Sequence, residues 1–556
     1  MTTNAAPALR FNRPIGFGLA AGALFVLLLS GCSEDAREAA ASGNAREAQP
    51  RSEVVYASMK DIRDINPHLY MGEMSAQAMV FEPLVVNTPE GVKPALAESW
   101  TLSPDGRTYT FSLRKGVAYT DGEPFTAESV VKNFEAIVAN RTRHAWLDMV
   151  NEIDTFEALD EHTFRLTLKH AYFPALVELA LSRPFRFISP KCFKDGATKG
   201  GVSCYAGTGP WRLTEHVRDE HALFERNADY WGEKPVLERV RWVVMPDAQT
   251  MLMALEKGEV DLIFGADGDQ LTSEALSMIG EKGAEKGLAA ELSEPIASRT
   301  VLLNSNRAPT SDKNVREALQ LAFDRQAVVS GVLNGIESPA ETLFAKNVPG
   351  CDVELAVRPF DRAAAEKRLD AAGWMRDADG LRVKDGQTLK LRFVFNAENT
   401  EEKSIAETIQ ANYAELGVAV ELQGEEKQTY LDRVRAGDFE LAYSLSWGAP
   451  YDPQSFLSSW REPAHGDYQA QLGIEGKAEI DAAIGRYLIE NDEAKRNAIL
   501  RELLVRIHDS AVYLPISYSR TKAVHSMKLE NVGFAVTQYE IPFEKMRFAA
   551  PKRANE

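Results

Sequence analysis

Cysteine is scarce, with four in 556 residues, and no two are spaced C-x-x-C. That spacing is what zinc ribbons and thioredoxin-type sites need, so neither is expected. The nine histidines are scattered, with no H-x-x-x-H or H-E-x-x-H pair, which excludes a zinc-protease helix and a metal cage built from clustered imidazoles. There is no G-x-S-x-G elbow of the hydrolase type. Positive charge is also short: 63 Lys and Arg against 81 Asp and Glu leave a formal net charge of -18. Nucleic acid is not an expected partner, because neutralising phosphates requires a basic face. The acidic balance names no partner of its own. No internal repeat is visible, and the one sustained apolar run, Ile15 to Leu29, is too short and isolated for a membrane span.

That run is part of a targeting segment. Arg10 and Arg13 precede it, and Leu29-Ser30-Gly31-Cys32 follows it and resembles a bacterial lipobox. The reading is a lipoprotein signal peptide over residues 1–31, lipidation of Cys32, and a flexible tether over 32–52 rich in Ala, Glu, Ser and Gly. An ordinary signal peptide is the alternative. Either places the mature chain in the periplasm or on the outer face of the cell membrane. In the lipobox case Cys32 is the membrane anchor.

The length exceeds what one hydrophobic core serves, so two or more lobes are expected. With 45% apolar and 26% charged residues, the composition is that of a globular protein. Leu389, Leu391, Phe393 and Phe395 alternate as in a strand, and Ile405, Ile409, Tyr413 and Leu416 recur at helical spacing until Gly417. Val418, Val420 and Leu422 then alternate again. This is a strand–helix–strand unit with parallel strands. Asn314 to Leu333 reads as a further helix, and Thr108 to Leu113 and Thr163 to Leu168 as short strands between turns. Outside the cytoplasm disulfides are permitted. Cys192 and Cys204 bracket a Gly- and Lys-rich loop and are a possible bridge, two separate thiols being the alternative. Cys351 is left over.

Six stretches, in this order, resemble solute-binding protein family 5 of ABC importers, the peptide, opine and nickel group. They are Ala97-Glu98-Ser99-Trp100, Asp105 to Gly116, Asp121 to Glu128, Gly207-Thr208-Gly209-Pro210-Trp211, Asn227-Ala228-Asp229-Tyr230-Trp231 and Gly258-Glu259-Val260-Asp261-Leu262. The resemblance implies an α/β, two-lobed periplasmic-binding-protein-like fold of type II, with an extra subdomain in lobe I. It places lobe I at 53–297, lobe II at 298–519 and a C-terminal return to lobe I at 520–556, with the ligand in the cleft between the lobes. It implies a permease and an ATPase of an ABC importer as partners, a monomeric state, and no resident cofactor.

Within the family, the nickel-importer branch is the nearest match. The segments behind this are Asn66 to Tyr70, Arg141-Thr142-Arg143-His144-Ala145-Trp146, Arg183-Pro184-Phe185-Arg186-Phe187, Trp447 to Pro453 and the isolated His465. With no histidine cluster, a bare divalent ion would be held by too few ligands to be selected over copper. A metal already wrapped in a small organic chelator, such as histidine or an opine metallophore, meets the difficulty. By resemblance, His465 adds a single metal ligand. Arg143 and Arg183 grip outward carboxylates, and Tyr70, Met74, Trp146, Trp447 and Tyr451 form the walls. Two departures from the nickel branch stand out: a segment after Tyr70 one residue shorter, and Tyr539 where a threonine is usual.

The rival within the family is a di- or oligopeptide binder. Such proteins hold the peptide ammonium with an Asp where this chain has Pro450, and Asp452 matches a structural position instead. A more remote reading is an exported hydrolase. The chain offers no nucleophile motif for it, and binding rather than catalysis is expected.

Overall fold

The computed structural model describes residues 51–266 and 270–550. The signal peptide, Cys32 and most of the tether therefore lie outside the described residues. Among the described residues no helix is long and apolar enough to cross a membrane.

One large mixed sheet runs through the body. Its N-terminal half contributes Glu53–Ser58, Trp211–Val217, His221–Arg226, Arg239–Val244 and Leu262–Gly265. Its other half contributes Lys390–Asn396, Ala419–Glu425 and Leu441–Leu445. Two long strands, Leu288–Leu303 and Tyr513–Ser526, lie side by side between these groups and pair with one another antiparallel. At one end Tyr513–Ser526 pairs with Leu262–Gly265, and at the other Leu288–Leu303 pairs with Leu441–Leu445. The pair thus joins the two halves. Ala297 is the register partner of Ser519, and Ser298 of Tyr518.

Two of the hydrophobic cores match this layout. Val54, Trp211, Phe224 and Trp242 pack with Ala523, Leu529, Phe543 and Met546, so the tail after Ser519 is sealed into the N-terminal half. Val301, Leu319, Phe393, Ile409 and Leu441 form another core with Leu514 and Ile516. Here the helix Thr400–Glu415 connects Lys390–Asn396 to Ala419–Glu425, and the two strands pair in parallel. Asn399 begins that helix by accepting hydrogen bonds from the backbone of Glu401 and Glu402. The stretch read as one helix from Asn314 to Leu333 is interrupted. Lys313–Leu321 stops at Ala322, and the Asp324 carboxylate starts a new turn by capping Ala327. A local cap has overridden the continuing apolar spacing.

A four-stranded antiparallel sheet containing Thr108–Leu113 and Thr163–Leu168 lies apart from the large one. Phe111, Phe134, Phe164 and Phe185 fill the space beneath it. The helix Ala127–Ala139 that covers this core is started by a reciprocal capping box between Thr126 and Ser129. The segment leaving this helix carries Arg143 and Trp146. A disulfide joins Cys192 to Cys204 beside a small hairpin, and Cys351 is a buried free thiol.

Candidate functional site

The site begins with two turns, one from each half of the chain. In the second half the strand Leu441–Leu445 runs into Ser446 to Pro453, which carries Trp447 and Tyr451. The Asp452 carboxylate clamps this turn from inside: Ser446 donates its hydroxyl to Oδ2 at 2.6 Å and Gly448 its N–H at 3.0 Å. Burial pushes the Asp452 carboxyl up to about 7, against those hydrogen bonds. The turn is also fastened to the long joining strand, because Ala449 donates to the Ile296 carbonyl at 2.9 Å and Ser298 donates to the Ser446 hydroxyl oxygen at 2.9 Å. Gly448 has φ +78°, and a Cβ there would sit 3.2 Å from the Ile296 oxygen, so the approach requires glycine.

In the first half Tyr70 is the organising group. Trp146 donates its indole N–H to the Tyr70 oxygen at 2.6 Å. The phenol therefore gives its own proton to Nδ1 of His144, 2.7 Å away. His144 suits that acceptor role: burial, with the neighbouring Arg143 charge, pulls its proton affinity down to about 4, so the ring is neutral. Its Nε2 is buried without a partner among the described residues. Two guanidiniums flank the Tyr70 ring, Arg183 at 4.9 Å and Arg143 at 5.5 Å from its centroid.

These turns enclose a cavity of about 290 Å³ lined by Tyr70, Met74, Trp146, Arg183, Trp447, Tyr451, His465 and Tyr539. Trp146 meets Trp447 edge to face at 5.5 Å, and Tyr451 stands 6.5 Å from Trp146. His465 precedes the short helix Gly466–Gln471, and its ring lies 5.5 Å from Trp447. Neither of its ring nitrogens has a hydrogen-bond partner among the described residues. Burial, with the Arg435 charge, lowers its proton affinity, favouring the neutral form that can ligate a metal. Gly466 lets the loop come this close, since a Cβ there would lie 2.2 Å from the Val434 side chain.

Arg183 is the cation of the cavity. It makes one long hydrogen bond, 3.4 Å to the Leu69 carbonyl, and no ion pair among the described residues. Burial pulls its proton affinity below the ordinary range, yet a guanidinium stays charged at any ordinary pH. A desolvated cation of this kind is a receptor for an anion. Arg143 is placed differently: its side chain is exposed, 5.5 Å from the Tyr70 ring centroid, and is not among the lining groups.

Residues 91–468 match the bacterial extracellular solute-binding proteins, family 5 (middle). The chain is a family 5 solute-binding protein. It is 42% identical over 502 residues to the nickel-binding periplasmic protein of Escherichia coli (strain K12), covering 90% of this chain and 95% of that one. The crystal structure of NikA from Brucella suis in complex with Fe(III)-EDTA superposes with a TM-score of 0.87 at 42% identity, covering 89% of this chain and all of that one. The dipeptide-binding protein of Escherichia coli (strain K12) is 25% identical, over 84% of this chain and 88% of its own length. The fold of the family 5 protein is the two-lobed α/β arrangement of its relatives.

Seven of the eight residues read as ligand or metal contacts converge on the one cavity, Arg143 lying outside it. Tyr539 is an additional wall, edge-on to Tyr451 at 6.0 Å. It stood out in the sequence as a departure from the nickel branch, without a signal that the tail returns to the cavity. His144 lies within a quoted segment, and its role depends on the phenol it receives from Tyr70. Asp452 is sealed in its turn and does not line the cavity, which leaves no carboxylate among the lining residues.

Proposed function

We propose that this family 5 protein is an extracytoplasmic, lipid-anchored solute-binding protein that captures a chelated transition metal of the nickel type. It delivers this cargo to the permease and ATPase of an ABC importer. His465 is one metal ligand, Arg183 receives a carboxylate of the chelator, and the aromatic walls cover its organic faces. The single observation that supports this most is the pairing of a neutral imidazole without a hydrogen-bond partner with a half-buried guanidinium that has no ion pair among the described residues, in an otherwise aromatic cavity. Relatives that bind nickel and a metal chelate, each at 42% identity, support the same cargo class.

The lobes are assigned as 53–297 and 298–519, with 520–556 returning to the first. These boundaries fall on Ala297 and Ser519, register partners in the joining strands. Cys32 is the anchor, the protein acts as a monomer, and the metal is cargo rather than a resident cofactor. The chain binds without turnover.

A peptide cargo is less favoured. Placed within the aromatic cavity, its ammonium would meet no lining carboxylate, at a cost of several kcal/mol for an uncompensated charge. Calorimetry with Ni(II)–L-histidine and with simple dipeptides separates the two. Micromolar or tighter binding of the nickel complex alone is expected. Binding of dipeptides alone overturns the reading.

A further inference from the structure

A larger cavity, of about 430 Å³, adjoins the first and has Met74, Arg183 and Tyr539 among its own walls. Its chemistry is different. The second space also has aromatic walls, Tyr56, Trp242, Phe264 and Tyr430, but adds the amides Gln270, Asn396 and Gln538, the cations Lys60 and Lys427, and the carboxylates Glu73 and Glu402. Both halves of the chain contribute, so a guest there also bridges the cleft.

Glu73 stands where the two spaces meet, next to the shared Met74. It occupies the position before the helix Met74–Val80, yet its side chain does not cap that helix. The carboxylate is half-buried and makes no side-chain hydrogen bond or ion pair among the described residues. Arg183 reaches it only as a distant charge. A partly desolvated carboxylate that no cation among the described residues pairs with is a receptor for an ammonium or amine donor.

We infer that the cargo is a two-part molecule: a metal-bearing anionic head in the aromatic cavity, and an amine-bearing polar arm that passes Tyr539 and sets its nitrogen against Glu73 in the second cavity. This rests on the reading of the first cavity as a metal-chelate site. It adds that the preferred chelator carries, beyond its ligating head, an amine that does not ligate the metal. The amides then serve the polar stem of the arm, Gln270 and Asn396 with their NH2 groups while their oxygens accept from the Met59 and Glu398 N–H.

Two nickel complexes with one chelating head test this on the detergent-solubilised full chain. One is Ni(II)–nitrilotriacetate. The other is Ni(II) with Nα,Nα-bis(carboxymethyl)lysine, which differs by an aminobutyl arm. The armed complex is expected to bind about tenfold tighter, the effect of one charge-assisted hydrogen bond. Glu73→Gln, which removes the charge, and Leu431→Trp, which fills the second cavity from a half-buried wall position, should each abolish that gain and leave the parent complex unchanged. Equal affinities in the wild type, or a gain that survives either variant, overturn the two-part cargo while the first cavity's reading stands. If neither nickel complex binds, the chelate reading fails and this inference falls with it.

Discussion

Trp146 and Trp447 come from opposite halves of the sequence and meet edge to face with their ring centroids 5.5 Å apart. Neither is positioned by the other alone. Trp146 is held by the Tyr70 phenol, and Trp447 by a turn clamped on Asp452 and fastened to the joining strand. The cavity therefore has complete walls only when the halves are together, and its contents are shielded from water by the same contact.

Replacing His465 with alanine should weaken binding of nickel chelates by roughly tenfold to a hundredfold, the scale on which metal-site residues act. The fold should be unaffected, because the ring makes no hydrogen bond among the described residues. Calorimetry alongside circular dichroism checks both statements, and an unchanged affinity removes His465 from the ligand set.

Arg183→Ala should cost more for carboxylate-rich chelators than for neutral ones. Loss of a charged hydrogen bond is worth about 1.5–3 kcal/mol, or roughly tenfold to a hundredfold in affinity. Arg183→Lys keeps the charge without the forked geometry and should fall between. Equal losses across both chelator classes would show that the guanidinium does not read carboxylate.

Ligation requires a neutral imidazole. Burial and the Arg435 charge hold the proton affinity of His465 below its ordinary value of 6.5. Binding should therefore persist as the pH falls through 6.5 and decline only below it. The stability contribution has the same sign. The unfolded chain takes up the proton first, so this contribution is present above the ordinary value and lost as the pH falls toward the folded one. Chelate titrations at stepped pH measure the falling edge, and Arg435→Gln should shift it to higher pH. The His465→Ala protein isolates the chelator's own titration.

Glu178 gives a slope of the opposite sign. It is fully buried, and burial together with the nearby Asp148 charge raises it to about 8, although Ser455, Tyr172 and the Met149 N–H donate to it at 2.8, 3.0 and 3.1 Å. A raised carboxyl contributes stability that is complete below its ordinary value of 4.5 and disappears as the pH rises through about 8. Glu178→Gln should flatten the stability profile across that window by up to ~1.4 kcal/mol per pH unit. Urea unfolding at several pH values provides the test, and a profile as steep as the wild type's would contradict it.

The Cys192–Cys204 bridge closes a loop with a sequence separation of 12. Loop-closure entropy assigns such a bridge about 3 kcal/mol. The Cys192→Ser, Cys204→Ser double variant should unfold at correspondingly lower denaturant with its chelate affinity retained, since neither cysteine lines the cavity. A loss of binding in the folded variant would tie the hairpin to the site.

Periodic segments were the legible part of the fold. The alternation at Leu389 to Phe395 and the helical spacing from Ile405 to Leu416 led directly to a parallel strand–helix–strand unit, because one buried face repeats without interruption. The joining strand Leu288–Leu303 was not legible. Ser293, Glu294 and Pro295 break its pattern, and its pairing shifts register between Leu292 and Pro295 and again between Pro295 and Ala297. At the site, the aromatic and cationic residues were found through a family resemblance, whereas their convergence needs contacts between distant segments. Tyr539 illustrates the gap: it reaches the cavity only because the tail folds back on the first half, which no local pattern encodes. Arg143 shows the reverse case. Its neighbour Trp146 points into the cavity while Arg143 itself remains exposed.

The strand Tyr513–Ser526, made almost last, occupies the centre of the large sheet, between Leu262–Gly265 and Leu288–Leu303. Until it emerges, both of those neighbours present open edges, and the N-terminal half cannot close its own core. Ribosomal synthesis thus leaves the chain without a finished lobe for nearly its whole duration. For the extracytoplasmic protein proposed above, this delay keeps the chain fit for crossing a bilayer before it acquires shape.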